Sequence, residues 1–355
     1  MSEKVYFIEA AENEDDSSLC WRMEVAIQAE HLLDSIVERD VVAVKTHFGE
    51  SKKLGYARPL HLKMLGDAVK SKGGVPFLTE TSTLYKGHRS DAISHIAHAH
   101  SQGFDYSSTG MPIIMADGLF GDEESVVPIE GKVYSAVHIA ALLAKCNSLI
   151  VVSHFTGHLA AGFGAALKNI GMGCASRKGK MEQHSNAKPK IVVKKCTGCE
   201  TCVKWCPQDA ITMNDEVAVI DDAKCIGCGE CLAMCRFDAV KFNWGATYEE
   251  LQKKVVEHAM GVCSLFPEKG LYINVLTRIS KDCDCMGHTF EQIVPDIGIL
   301  ISRDPVALDA ASLDLVEKRA GKVLSQLAYD IPYRFQLDYA AELGFGSLEY
   351  DLIKC

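Results

Sequence analysis

The stretch "DVVAVKTHFGE", residues 40–50, begins with a run of apolar residues and ends with polar ones. A continuous apolar run of this kind is typical of a parallel strand that is buried on both faces. The next stretch, "RPLHLKMLGDAVKSKGG" (58–74), has helical periodicity, and "VPFLTE" (75–80) is again a short apolar run. Strands that alternate with helices imply crossover units on a largely parallel sheet. These residues therefore predict an α/β fold.

The alternation continues in both directions from this stretch. The segment "DPVALDAASLDLVEK" begins with Asp304 and Pro305, which predict a helix N-cap followed by the first helical residue. We also expect a Gly/Ala-rich helix that ends at Leu167, after the strand "NSLIVVSHF". Further strands are predicted at 4–10, 271–279 and 296–304, and further helices at 19–37, 90–104 and 247–261.

The stretch "KCTGCETCVKWCP", residues 195–207, interrupts this alternation with a dense group of cysteines. Its spacing is C-x2-C-x2-C-x3-C, and a second run with the same spacing follows at a constant offset of 29 residues (225 against 196). A constant offset indicates an internal duplication. The chain has 15 cysteines and no visible export signal, so clustered cysteines are expected to bind metal rather than form disulfides.

The spacing predicts two [4Fe-4S] clusters. Three closely spaced cysteines can wrap one cube, whereas the fourth cysteine of each run ligates the other cluster. Zinc sites also use C-x2-C pairs, but the x3 step and the duplicated runs fit iron–sulfur better. The first predicted ligand set is Cys196, Cys199, Cys202 and Cys235, and the second is Cys225, Cys228, Cys231 and Cys206.

The cysteine-rich segment resembles bacterial-type two-cluster ferredoxins over residues 189–243. Between its two runs, we expect a hairpin around Asn214 and Asp215. The predicted architecture is an α/β domain with a largely parallel sheet flanked by helices, interrupted by a small α+β ferredoxin-type iron–sulfur domain. The three parts are residues 1–188, 189–243 and 244–355.

Polar side chains follow the predicted strands at their carboxyl ends. In open parallel sheets, ligands bind in the crevice beyond these ends. Glu80 and Thr81 follow one strand, residues 302–304 follow another, and His288 lies near a third. The residues that we expect to line one catalytic crevice are Lys45, His47, His154, His158, Cys283 and Cys285.

Each of these residues also has a simpler interpretation. His154 and His158 have ligand spacing only if their segment is helical, and they are otherwise hydrogen-bonded histidines near a glycine-rich turn. Lys45 and Glu50 would form an ordinary surface pair, and Cys283 and Cys285 would be inert thiols. Three further histidines are interpreted as a solvated helix face and are not assigned to the site: His95, His98 and His100.

The glycine-rich segment 157–173 lacks the sequence motifs of nucleotide-binding loops. Its small residues are expected to permit close packing of the backbone. The formal net charge of −10 argues against nucleic-acid and anionic-membrane binding. No apolar run of the length of a spanning helix is visible, and a cytoplasmic protein is expected.

Three stretches resemble the domain of unknown function 362 family: "VAVKTHFGE" (42–50), "SHFTGHLAAGFGAALKNIGMGCASRKGK" (153–180) and "DIGILISRDPVALDAAS" (296–312). The resemblance covers nearly the whole chain, and many members carry an inserted two-cluster ferredoxin domain. It implies an iron–sulfur protein with a redox role and no particular reaction.

The leading functional hypothesis is an iron–sulfur oxidoreductase that transfers electrons between a redox partner protein and a small-molecule substrate or metal in the crevice. The alternatives are a non-catalytic electron-transfer subunit that docks a partner enzyme, or a metal- or cofactor-handling protein. One expectation opposes the leading hypothesis. A crossover helix before residue 174 would return the chain to the opposite edge of the sheet, far from the crevice, unless residues 174–195 let the insert fold back.

Overall fold

The structure is a computed structural model, and it describes most of the chain. The described residues are 2–12, 14–50, 56–85, 87–184, 188–225, 229–237, 239–241, 247–286 and 291–355. Cys228 and His288, which the sequence places at candidate sites, lie outside these residues.

The described residues form strands and helices in alternation, as follows. The strands are β1 (Glu3–Glu9), β2 (Val41–Thr46), β3 (Val75–Thr79), β4 (Glu124–Pro128), β5 (Ala136–Ala140), β6 (Ser148–His154), β7 (Thr156–His158), β8 (Gly162–Gly164), β9 (Lys190–Ile191), β10 (Ile211–Asn214), β11 (Val217–Ile220), β12 (Val240–Lys241), β13 (Gly270–Leu276), β14 (Ile279–Ser280), β15 (Gln292–Val294), β16 (Gly298–Ser302) and β17 (Tyr350–Lys354). The helices are α1 (Asp16–Ala29), α2 (Pro59–Ser71), α3 (Ala92–Ser101), α4 (Tyr106–Thr109), α5 (Ala166–Gly171), α6 (Arg177–His184), α7 (Thr201–Lys204), α8 (Glu230–Met234), α9 (Tyr248–Ser264), α10 (Pro305–Ala320), α11 (Leu324–Leu327) and α12 (Phe335–Glu342).

A seven-stranded sheet in the order β17-β1-β16-β13-β6-β2-β3 forms the centre of the molecule. The neighbouring strands β13, β6, β2 and β3 are parallel, and β1 is parallel to β17. Only β16, among the sheet's described strands, runs antiparallel to its two neighbours. The predicted α/β fold with a largely parallel sheet is confirmed.

The direction of β16 corrects one part of the predicted crevice. Because β16 is antiparallel to β13, the residues after it lie at the opposite edge of the sheet from the carboxyl ends of β2, β3, β6 and β13. Residues 302–304 therefore do not belong to the crevice. Asp304 instead caps α10 by accepting hydrogen bonds from the backbone N–H groups of Val306 and Ala307, as predicted.

Helices cover both faces of the sheet, which gives a three-layer molecule. Side chains alternate between the faces: Leu149 and Val151 of β6 pack in one core, and Ile150 and Val152 pack in the other. The first core includes residues of α5, α9 and α10, and the second includes residues of α1, α2 and α3. This double burial explains why the strands appear in the sequence as continuous apolar runs.

The chain after β6 differs from the predicted helix. Residues 156–164 form the β7–β8 hairpin, and α5 begins only at Ala166. Glycines permit this path, since a Cβ atom at Gly157 would lie 2.1 Å from the carbonyl oxygen of Lys281. At Gly162, φ is +82°, and a Cβ atom would lie 2.1 Å from Cβ of Tyr333. The small residues therefore serve close backbone packing, as expected, but within a hairpin.

The segment between α6 and α9 forms a small unit with its own hydrophobic cluster, which includes Ile211, Ala218 and Val240. The pairing of β9 with β12 brings its two ends together. The hairpin of β10 and β11 turns at Asp215, where φ is +52°, so the predicted hairpin is confirmed.

The sequence duplication is visible in the local structure of this unit. Helices α7 and α8 begin 29 residues apart, and each follows a residue in the left-handed conformation, Glu200 and Gly229 respectively. The repeated cysteine runs thus adopt repeated turns.

The β4–β5 hairpin and the edge strand β17 are among the sheet elements that were not predicted from the sequence. Among the described residues, no helix combines the length and apolar character needed to cross a lipid bilayer.

Candidate functional site

A cavity of about 440 Å³ lies at the carboxyl ends of the parallel strands β2, β3, β6 and β13. Five of the six predicted crevice residues line it: His47, His154, His158, Cys283 and Cys285. The geometry therefore brings together side chains from distant parts of the chain, as expected for the edge of a parallel sheet.

Lys45, the sixth predicted residue, lies behind the cavity wall. Its side chain is buried, and Nζ lies 3.2 Å from Oε1 of Glu80 and donates a hydrogen bond of 2.7 Å to Oδ1 of Asn169. Burial alone would raise the pKa of Glu80, but Lys45 and other cations lower this pKa well below its usual range. The predicted surface pair of Lys45 with Glu50 is thus wrong, because Lys45 is buried with a different carboxylate.

His47 forms a polar network with Arg89 at one side of the cavity. Its Nδ1 accepts a hydrogen bond from the backbone N–H of Gly49, and its Nε2 lies 3.0 Å from Nη1 of Arg89. Both neighbours are donors, which disfavours a protonated ring. Burial and the Arg89 charge place the pKa of His47 well below its usual range. The charge of Arg89 is balanced by Glu50, whose Oε2 lies 2.5 Å from Nε.

His154 holds the loop that carries the two cysteines. Its Nδ1 lies 2.8 Å from Oδ2 of Asp284, and its Nε2 lies 2.8 Å from the carbonyl oxygen of Thr277. Both partners are acceptors, so both ring nitrogens act as donors and neither is left for a metal ion or a substrate. His154 and His158 lie in β6 and β7 and not in a helix, so they are the hydrogen-bonded histidines of the simpler interpretation and not a helical ligand pair.

His158 has the opposite hydrogen-bond pattern. Its Nδ1 accepts hydrogen bonds from the backbone N–H groups of Ala160 and Ala161, at 3.1 and 2.9 Å. The neutral ring therefore carries its proton on Nε2. Burial and the Lys168 charge place the pKa of His158 well below its usual range, so His158 lines the cavity as a neutral donor.

Cys283 and Cys285 lie at the cavity beside Lys168. The Sγ atom of Cys283 lies 3.7 Å from Nζ of Lys168 and 3.5 Å from the backbone nitrogen of Cys285. The hydrogen bond from the Cys285 thiol, together with Lys168, lowers the pKa of Cys283 to about 6 despite burial. The same hydrogen bond raises the pKa of Cys285 well above its usual range. The two thiols are therefore unequal.

Helix α6 connects the cavity with the cysteine-rich unit. Lys180 and His184 line the cavity, and Met181 between them is buried against Gly229 of that unit, where a Cβ atom would lie 2.6 Å from Cγ of Met181. Burial lowers the pKa of Lys180 to about 8. The expected return of the chain to the opposite edge of the sheet is therefore wrong, because α6 reaches the unit directly from the cavity.

Sequence reasoning missed several cavity residues. Lys168 has a weak signal in the sequence, because it is the single lysine in the segment 157–168, where most residues are small or apolar. Arg89 lies in a loop whose sequence has no pattern that would identify it. The prediction of a solvated histidine face on α3 is wrong for two of its members. His95 and His98 are buried, and Nε2 of His98 lies 3.0 Å from the carbonyl oxygen of Gly49, while His100 is exposed as predicted.

Two smaller cavities lie within the cysteine-rich unit. The first is lined by four cysteines from both runs, together with apolar residues such as Ile191 and Val240: Cys196, Cys199, Cys202 and Cys235. The second is lined by three described cysteines, again from both runs: Cys206, Cys225 and Cys231. The first cavity thus combines the three closely spaced cysteines of the first run with the last cysteine of the second run. The second cavity combines two described cysteines of the second run with the last cysteine of the first run.

Backbone N–H groups point at the cysteine sulfurs in this unit. The N–H of Ala210 donates to Sγ of Cys206, and the N–H of Ala239 donates to Sγ of Cys235, both at 3.3 Å. These two contacts are equivalent in the duplication. A third N–H, that of Ala218, points at Cys196. Such donors stabilise thiolates.

The comparison with family models decides the relationship of the chain. The model described as a domain of unknown function (DUF362) matches residues 42–314. The chain belongs to the DUF362 family. In this DUF362 protein, the matched range contains every cavity residue named above as well as the cysteine-rich unit. The comparison with curated proteins found no match.

Two solved structures have a low similarity to this DUF362 protein. One is described as the lactate racemase apoprotein from Thermoanaerobacterium thermosaccharolyticum, with 10% identity and a TM-score of 0.43, over 78% of this chain and 51% of that one. Another is a protein from Thermotoga maritima, with 10% identity and a TM-score of 0.45, over 88% of this chain and 61% of that one. The chain thus covers less than two thirds of either structure.

Proposed function

We propose that this DUF362 protein is an iron–sulfur oxidoreductase that uses two [4Fe-4S] clusters. The observation that carries the proposal is the crosswise grouping of the cysteines around two cavities. One cavity joins Cys235 to the three cysteines of the first run, and the other joins Cys206 to Cys225 and Cys231 of the second run. Cys228, outside the described residues, would complete the second set. This exchange of the fourth cysteine is the ligation pattern of two-cluster ferredoxins.

The residues at these cavities suit an iron–sulfur cluster. Four thiols line the first cavity and three, among the described residues, line the second. Apolar side chains line the remaining wall, and N–H donors face the sulfurs of Cys196, Cys206 and Cys235. Among the described residues, no group of three or more His, Cys, Asp or Glu side chains is arranged to hold a single metal ion. A cluster differs from a single ion because each thiolate binds a different iron atom. When bound, the clusters would supply one-electron transfer.

The contact of α6 supports electron transfer toward the crevice. Met181 packs on Gly229, which lines the second cysteine cavity, and the neighbouring side chains of Lys180 and His184 line the 440 Å³ cavity. We propose that electrons from a redox partner protein pass through the small unit to a small molecule in this cavity. Three basic side chains, Arg89, Lys168 and Lys180, line the cavity together with two acidic ones, Glu80 and Asp284, and the excess of basic groups favours an anionic substrate.

A cluster assay tests the proposal. Anaerobically purified protein is expected to contain about eight iron and eight sulfide per chain, because each cube holds four of each. Cys202→Ser is expected to lose one cluster and keep most of the other. Cys146→Ser, which changes a cysteine outside the small unit, serves as the control and is expected to keep both. Stoichiometric zinc without sulfide would reject the proposal.

A second experiment separates an oxidoreductase from an electron-transfer subunit. Reduced protein is mixed with candidate anionic substrates, and cluster reoxidation is followed by absorbance. For an oxidoreductase, reoxidation by a substrate is expected to slow at least tenfold in Lys168→Gln, about 1.4 kcal/mol of barrier. Reoxidation by a partner protein alone, unchanged in this variant, would favour the electron-transfer subunit.

A further inference from the structure

The loop that carries Cys283 and Cys285 is held by the residues that alternate with them. The carboxylate of Asp282 accepts a hydrogen bond from the Tyr329 hydroxyl. The backbone carbonyl oxygen of Asp282 accepts a hydrogen bond of 2.9 Å from the Ser280 hydroxyl. The carboxylate of Asp284 is bound to His154. These contacts fix the loop in a position where Cys283 and Cys285 line the cavity, with Asp284 between them.

Lys168 has no carboxylate partner among the described residues. Its ammonium group is enclosed by protein apart from the cavity, and the partner within reach is the Cys283 sulfur at 3.7 Å. An enclosed ammonium group requires a nearby anion to remain charged. Burial alone would lower the pKa of Lys168, but Cys283 and Cys285 raise it overall. The thiolate of Cys283 is therefore the counter-ion of Lys168.

The two thiols contact each other as well as the cation. The thiol of Cys285 donates to Cys283, and the Cys285 backbone N–H points at the same sulfur. One sulfur is thus held as the nucleophile, and the other is held as a protonated thiol beside it. This arrangement suits thiol–disulfide exchange, in which a thiolate attacks and a second thiol resolves the intermediate.

We propose that Cys283 and Cys285 form a redox-active dithiol that reduces a disulfide substrate in the crevice. This inference names the substrate class of the proposed oxidoreductase and rests on that proposed function for the return of electrons.

The proposed reaction has two thiol–disulfide exchange steps. The Cys283 thiolate attacks one sulfur of the substrate disulfide, the substrate S–S bond breaks, and the departing sulfur takes the proton of Cys285. The Cys285 thiolate then attacks Cys283, which forms the Cys283–Cys285 disulfide and releases the second substrate sulfur, protonated by solvent. Two electrons and one proton restore the thiolate and the thiol. The two one-electron carriers of the proposed function supply these electrons.

Peptide mapping tests the dithiol directly. Trypsin cleavage after Lys281 and Arg303 releases a peptide that contains Cys283 and Cys285 and no other cysteine. The full-length protein is equilibrated anaerobically in glutathione buffers of stepped redox ratio, quenched with acid, alkylated and digested. The expected result is a reversible change from a doubly alkylated peptide to an unalkylated one that is lighter by two hydrogens. In Cys283→Ser or Cys285→Ser, this species is expected to disappear.

The role of Lys168 has its own control. Lys168→Gln is expected to slow alkylation of Cys283 at pH 7 by at least tenfold, whereas Lys168→Arg, which keeps the charge, is expected to stay within about threefold. Lys322→Gln, at an exposed lysine, is expected to change nothing. Equal alkylation rates in Lys168→Gln and the unaltered protein would overturn the assignment of the counter-ion.

The outcomes distinguish this inference from the proposed function. Iron and sulfide are measured on the same samples. Normal cluster content with a peptide that stays doubly alkylated in every buffer overturns the dithiol alone. A reversible disulfide in protein that binds no iron overturns the cluster proposal and supports the dithiol. A stoichiometric metal ion that is lost in the Cys283→Ser/Cys285→Ser double variant would replace the dithiol by a metal site.

Discussion

At the scale of single residues, hydrogen-bond partners decide what each cavity side chain can do. His154 and His158 are four positions apart, yet His154 donates from both ring nitrogens and His158 accepts at Nδ1. The first is a positioning residue for the cysteine loop, and the second is a neutral donor at the cavity. Residue type alone would have given them the same role.

The acidity of Cys283 gives a prediction at this scale. Because the Cys285 thiol and Lys168 lower the pKa of Cys283 to about 6, about nine-tenths of Cys283 is expected to be thiolate at pH 7. The rate of first alkylation of the peptide 282–303 should rise up to about pH 7 and stay flat above it. Cys285→Ala removes the thiol donor, so its midpoint is expected at higher pH. A rate in the unaltered protein that still climbs between pH 8 and 9 would contradict the lowered pKa.

At the scale of elements, single buried carboxylates join helices to distant loops. Glu257 of α9 accepts hydrogen bonds of 2.8 Å from the backbone N–H groups of Lys132, Val133 and Tyr134, and one of 2.6 Å from the Tyr339 hydroxyl of α12. Its side chain is buried. One carboxylate thus accepts hydrogen bonds from three backbone N–H groups of the loop between β4 and β5 and fixes this loop to two helices.

Replacing Glu257 tests this junction. Glu257→Ala leaves three N–H groups and a hydroxyl without their acceptor, so the free energy of unfolding is expected to fall by about 3 kcal/mol or more. Glu342→Ala is the matched control, because Glu342 binds the side chain of Lys132 from the solvent side. An exposed pair of this kind contributes little to stability, because solvent screens its charges. Urea unfolding of both variants gives the comparison, and equal losses would show that the backbone contacts of Glu257 are unimportant.

At the scale of the whole molecule, the cysteine-rich unit and the α/β frame have separate hydrophobic cores. The core of the unit is small, since the described part of it contains five buried residues and eight partly buried neighbours. Clusters of this size seldom stabilise a fold without further cross-links. Ligand binding by the cysteines would therefore supply much of the folding free energy of the unit.

Chelation of the proposed clusters tests this separation. Removal of iron is expected to unfold residues 190–241 while the seven-stranded sheet keeps its protection, because the frame has its own core. Hydrogen exchange followed by mass spectrometry reads both regions in one experiment. A unit that stays equally protected after iron loss would mean that its apolar cluster is sufficient by itself.

The sequence predicts the parts of this molecule that depend on local pattern. Apolar runs identify β2, β3, β6, β13 and β16 because both faces of the sheet are covered by helices. The same runs carry no information on strand direction, so the reversal of β16 and the displacement of residues 302–304 could not be anticipated. The cavity residues likewise divide into those that a local sequence pattern identifies and those that it does not. Strand ends identify His47 and Cys283, whereas Lys168 and Arg89 reach them only through tertiary contacts that no short-range pattern encodes.

The position of β1 inside the sheet delays its pairing during synthesis of the chain. This strand begins at Glu3, yet its neighbours are β16, from Gly298, and β17, from Tyr350. At roughly 5–20 residues per second of synthesis, β1 waits on the order of 15–60 s before its first neighbour leaves the ribosome. During that time its apolar residues Val5, Phe7 and Ile8 have no sheet to join. The parallel group β2, β3 and β6 can assemble well before then, so β1 is among the last strands to join the sheet although it is made before them.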